Sequence, residues 1–192
     1  MNLLSFYRPL PLRCTLVVLV TFTVSFIAGY HFAPELNGLF DNPINFRTEA
    51  FVPVPPTLSM QHHAFLHIFT YNAAATLQIL GIGTIIFLFP WIRITAIGLS
   101  LGISFWSIGS PWLCCKFFLP HALVEMSVTI YACSISMSSG LKSLTGGPGG
   151  RWNILKREFV ANLKLFLLLI PFILLAALLE AYVTYRWCSS PQ

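Results

Sequence analysis

Residues 163–185 read LKLFLLLIPFILLAALLEAYVTY, and this run decides the class of fold. At about 1.5 Å of rise per residue a helix of that length crosses a hydrocarbon core about 30 Å thick. The run lacks the strict alternation of a lipid-facing barrel strand, so a helix is the structure it dictates, with every backbone group satisfied within the segment. One carboxyl group, Glu180, interrupts the hydrocarbon. At membrane depth such a group costs about 3 kcal/mol unless it finds partners, which marks it for function.

Further apolar runs occupy residues 12–31, 64–89, 92–109 and 117–137. The composition agrees: 56% of the 192 residues are hydrophobic and only 9% are charged, with a mean hydropathy of +0.77, against about 25% charged residues in an ordinary soluble domain. We expect one integral membrane domain over residues 1–192, an all-α bundle of about five transmembrane helices. The remaining length leaves no room for a soluble catalytic domain. Residues 32–61 are read as an outer loop and 138–162 as a cytoplasmic loop.

Positive residues in short connections are retained on the cytoplasmic side. With the N-terminus inside, Arg8, Arg13, Arg93, Lys142, Arg151, Lys156, Arg157 and Lys164 lie inside or at the inner boundary. Only Arg47, Lys116 and Arg186 lie outside, so an N-in, C-out orientation is expected. Arg8 and Arg13 before the first apolar run also suit a secretory signal, but no small-x-small cleavage site stands out and the run is expected to be retained. The net charge of +5 then reflects orientation and anionic headgroups, and no basic–aromatic module suggests nucleic acid.

The loops carry little chemistry. Pro53-Val54-Pro55-Pro56 favours extended polyproline geometry, fitting a lid, a partner-binding arm or a plain connector. Gly146-Gly147-Pro148-Gly149-Gly150 is a flexible break and not a phosphate loop, since no Gly-Lys-Ser/Thr follows. The five cysteines lack paired zinc or redox spacing. Cys114, Cys115 and Cys188 fall near the outer face, where a disulfide is permitted, although simple packing explains the first two better.

The polar residues inside the spans are the candidate site. His121 and Glu125 are four apart, hence on one helical face and able to share a hydrogen bond or proton. Pro120 suits the first turn of a helix, which sets His121 about 6 Å and Glu125 about 12 Å below its outer end. Glu180 and Asn72 fall at similar depth, so Asn72, His121, Glu125 and Glu180 are expected to form one outer-leaflet polar cluster. Asn72 alone would be helix-packing glue, and Glu180 alone would snorkel outward. His63, His67, His121 and Glu125 are conceivable metal ligands, yet no His-Glu-x-x-His is present and interfacial histidines account for them more simply; no metal or other cofactor is expected. Gly98 and Gly102 have small-xxx-small spacing, and Gly81, Gly83, Ala73 and Ala74 thin the second span, which lets helices approach closely.

These segments carry a resemblance. Phe69-Thr70-Tyr71-Asn72 is similar to the Phe-x-x-Asn of the stage II sporulation protein M family, Leu119-Pro120-His121-Ala122-Leu123-Val124-Glu125 to its Pro-His-Gly-x-x-Glu, and Glu180-Ala181-Tyr182-Val183-Thr184 to its Glu-Ala-Phe-x-Thr. The resemblance covers residues 64–185. Ala122 stands where that family has glycine, and the Asn-Gly step before the third span's glycines is missing around residues 97–102. The resemblance implies a membrane protein that supports cell-envelope remodelling by assembling with a secreted-side peptidoglycan-degrading component and another membrane partner. It also implies residence in a bacterial cytoplasmic (inner) membrane.

The leading expectation is therefore a multi-helix scaffold or auxiliary subunit of a cell-envelope remodelling complex, with the bilayer and other membrane or envelope proteins as partners. A small transporter component using the outer His/Glu cluster is the alternative. An intramembrane metal-dependent hydrolase ranks below both, because no nucleophile elbow, kinase motif or complete zinc motif is present.

Overall fold

In the computed structural model, which describes residues 10–37, 57–146 and 150–184, every regular element is helical. The elements are α1 (Leu12–His31), a short α2 (Ala33–Asn37), α3 (Leu58–Ile85), α4 (Phe89–Ile108), α5 (Pro111–Thr145) and α6 (Arg151–Leu178), which ends in a π-helical stretch, Leu179–Thr184. Five of these helices are long and apolar enough to cross a membrane. The polytopic bundle expected from the runs of apolar residues is the one observed.

The helices start and stop on recognisable chemistry. The Thr57 hydroxyl accepts from the Met60 amide at 3.3 Å, so α3 begins six residues ahead of the expected span, at Leu58. Gly109 ends α4 with a φ of 69°, a conformation that favours glycine. Ser110 then caps α5, with Pro111 in its first turn. The expected start of this helix near Pro120 is thereby corrected: Pro120 lies well inside α5, and His121 follows about 15 Å of helix.

The largest departure concerns residues 138–162, read above as a loop. They are helical up to Thr145 and again from Arg151, leaving a short connection. Polar sequence stays helical here because its polar groups pair inside the bundle. Ser139 donates to Glu158 at 2.9 Å, and the Asn162 amide donates to the Thr84 hydroxyl at 2.7 Å and to the Leu80 carbonyl at 3.4 Å. Of the expected outer loop at 32–61, residues 33–37 form α2 and 58–61 belong to α3. The Pro53–Pro56 stretch, Cys188 and the centre of the glycine-rich break lie outside the described residues.

The five long helices share one core, to which α1 contributes Val18 and α4 contributes Ile94. Helix α1 packs chiefly on α4, and α3, α5 and α6 pack on one another around Ile79, Leu80, Ala132, Cys133, Leu165 and Leu169. The α1–α4 seam is backbone against backbone. A Cβ on Gly98 would stand 2.8 Å from the Phe22 carbonyl oxygen, and one on Gly102 would meet the backbone of Phe26 and Tyr30. The small-residue spacing on this helix therefore does what its pattern implies. Trp91 Nε1 donates to the Thr21 hydroxyl at 2.9 Å and ties the same two helices.

Candidate functional site

Two turns of helix build the site. On α5, His121 and Glu125 share a face, as their spacing requires. On the other side, the i→i+5 bonding of the π-helical end of α6 widens its turn, and Glu180 and Thr184 both reach the His121 ring. His121 Nδ1 is 3.2 Å from the Thr184 hydroxyl, and Nε2 is 4.0 Å from a Glu180 carboxyl oxygen. If the Thr184 hydroxyl donates to Nδ1, the ring proton lies on Nε2, the atom that faces Glu180. The His121 side chain is buried, whereas Glu180 retains 34% exposure.

One ligand atom each from His121, Glu125 and Glu180 lies within 4.8 Å of the others. One imidazole and two carboxyls at that spacing can share a proton, or move together slightly to hold a divalent ion of the kind that accepts nitrogen and oxygen donors. An aromatic shell surrounds them. Phe118 stacks on Phe105 with 5.1 Å between ring centroids and lies 6.4 Å from the His121 ring, while Phe65 of α3 lies 6.3 Å from Tyr182.

Of the four expected residues, His121, Glu125 and Glu180 come within 4.8 Å of one another. Asn72 joins through a cavity of about 90 Å³ between α3, α4, α5 and α6, which it lines together with Glu125. His63 and His67 are exposed on the first turns of α3, and neither belongs to the metal-competent group. The structure adds Thr184, the second partner of His121. It also adds Glu158 and Asn162, which are 4% and 1% exposed near the far end of the bundle. Their i, i+4 spacing, and the small and polar residues Ser136, Ser139, Gly140 and Ser143 recurring along α5, were the available signal.

A helical bundle with an imidazole and two carboxyl groups gathered between its transmembrane segments defines an integral membrane protein with an intramembrane polar site. The chain belongs to the stage II sporulation protein M family, whose sequence model matches residues 18–185. No curated protein and no solved structure matches it.

Proposed function

We propose that the protein is a scaffold or auxiliary membrane subunit of a cell-envelope remodelling complex, inserted N-in, C-out in a bacterial cytoplasmic membrane. The observation that carries this reading is Glu180, one-third exposed and 4.0 Å from the buried His121 where α5 meets the π-helical end of α6. An acidic group anchored at a helix end yet open to its surroundings suits contact with a partner better than it suits burial for stability alone. Family membership supports the envelope setting.

The test is purification from native membranes under mild detergent. Wild-type protein is expected to bring down a partner with a soluble catalytic or ATPase domain, and Glu180→Gln to reduce that recovery without lowering membrane abundance. Recovery alone from membranes that contain its neighbours would overturn the reading. The transporter alternative draws on the cavity that adjoins the cluster, and solute flux into vesicles holding the purified chain alone would establish it.

A further inference from the structure

His121, Glu125 and Glu180 stand near one another without bonding to one another. His121 Nε2 is 4.0 Å from a Glu180 carboxyl oxygen, and one ligand atom from each of the three lies within 4.8 Å of the others. No hydrogen bond joins any two of them among the described residues. A proton shared between a nitrogen and an oxygen would draw them to about 2.7–3.2 Å. Two ligands of one divalent ion, each about 2.1 Å from it, are held about 3.4 Å apart in a tetrahedron and about 4.2 Å apart when opposite one another. The spacing is the width of an ion, and small side-chain movements bring all three groups onto one centre.

Charge points the same way. Two carboxyl groups sit side by side between transmembrane helices, and among the described residues no lysine or arginine pairs with either. A divalent cation with two carboxylates and a neutral imidazole sums to no net charge, the form that the interior of a membrane tolerates best. The ring is also set for the task. His121 is 8% exposed, and its Nδ1 is 3.2 Å from the Thr184 hydroxyl. With that hydroxyl accepting from Nδ1–H, the Nε2 lone pair faces the carboxyls, as in metal-ligating histidines whose other ring nitrogen is fixed by an outer partner. A nitrogen donor beside two oxygens selects a zinc-like ion over magnesium or calcium, which take oxygen alone. Ligands drawn from two separate helices form no compact motif, so the expectation of no metal followed from sequence spacing alone.

We propose that His121, Glu125 and Glu180 form a binding site for a divalent transition-metal ion of the zinc type, with a fourth position left for water or another donor. The proposal does not rest on the chain acting as a scaffold. Metal binding is measured on the isolated chain and partner recovery in native membranes, so either reading can fail without the other.

The experiment strips the purified, tag-free full-length chain with a chelator in detergent, then titrates it with zinc chloride against a chromogenic zinc indicator. Wild type is expected to bind about one zinc per chain. Glu180→Gln should weaken that binding at least about tenfold, whereas replacing the exposed His63 and His67 together by alanine should leave it unchanged. Should Glu180→Gln fail to elute as a single folded species, Glu125→Gln decides, with the same expected loss. Absence of saturable zinc binding by folded wild type, meaning that the three groups only share protons, overturns the proposal. So does binding at wild-type strength in folded Glu180→Gln or, where that variant does not fold, in Glu125→Gln. Loss of binding on replacement of His63 and His67 would place the ion at the membrane surface and overturn it equally.

Discussion

The Thr184 hydroxyl lies 3.2 Å from His121 Nδ1, joining the π-helical end of α6 to the interior of α5. Replacing Thr184 by Val keeps the shape and leaves a buried ring nitrogen unpaired, at a cost of about 1–2 kcal/mol. Thermal unfolding in detergent is expected at lower temperature for Thr184→Val and close to wild type for Thr184→Ser. Equal midpoints for wild type and Thr184→Val would show that the contact contributes nothing.

If charge at the cluster matters to assembly, His121→Ala and Glu125→Gln each lower partner recovery, and the double variant loses less than the sum, because residues in contact are not independent. Measuring recovery and membrane abundance for all three variants tests this. Wild-type recovery by Glu125→Gln at normal abundance would leave a hydrogen-bonded structural cluster as the better account.

At the far end, Glu158 accepts from Ser139 and Asn162 donates to Thr84. Asn162→Leu removes its donations to the Leu80 carbonyl and the Thr84 hydroxyl, which keep their bond to each other, and should destabilise the bundle by about 1 kcal/mol. Glu158→Gln retains an acceptor for Ser139 and should cost less than Glu158→Leu. A denaturation series ranks the three, and the reverse order for the Glu158 pair would contradict an internal hydrogen-bonding role.

Cys114 is 1% exposed and Cys115 is exposed, and burial pushes the Cys114 thiol up from its ordinary value. At neutral pH Cys114 therefore carries less of the reactive thiolate. Maleimide should modify Cys115 at least about tenfold faster than Cys114 in single-cysteine variants, with the Cys114 rate still climbing above pH 9. Comparable rates at pH 7 would mean that Cys114 is open.

The proposed orientation puts Thr145 on the cytoplasmic side and Leu58, at the opposite end of the bundle, on the outer side. Both are exposed. In a cysteine-free background an impermeant thiol reagent should reach a cysteine at 58 in intact cells and one at 145 only after lysis. Labelling of both in intact cells would reject the orientation.

The apolar runs made the number and type of helices legible, since lipid leaves a long apolar segment few other structures. The closeness of His121 and Glu125 on one helical face was legible from spacing, and Glu180 from its isolation in hydrocarbon. Thr184 stood in the family-like segment, but its contact with His121 was not legible, because a hydroxyl is ordinary in a membrane helix and its alignment with Glu180 depends on a π-helical turn that hydropathy does not encode. Glu158 and Asn162 were hidden by the opposite bias. Low hydropathy reads as loop unless the polar groups are known to face one another across two helices, and that pairing is a tertiary fact. Arg93 counted toward orientation by charge, while the direction of its side chain depends on the gap between α3 and α4.

The backbone contact of α1 with α4 has a mechanical meaning for that gap. Glycines bring the two backbones into contact, so a displacement of α1 is passed directly to α4, and α4 supplies the Arg93 and Ile97 wall of a chamber whose other walls come from α3, α5 and α6. A bulky side chain at Gly98 or Gly102 would therefore act on that chamber from a helix face that never touches it.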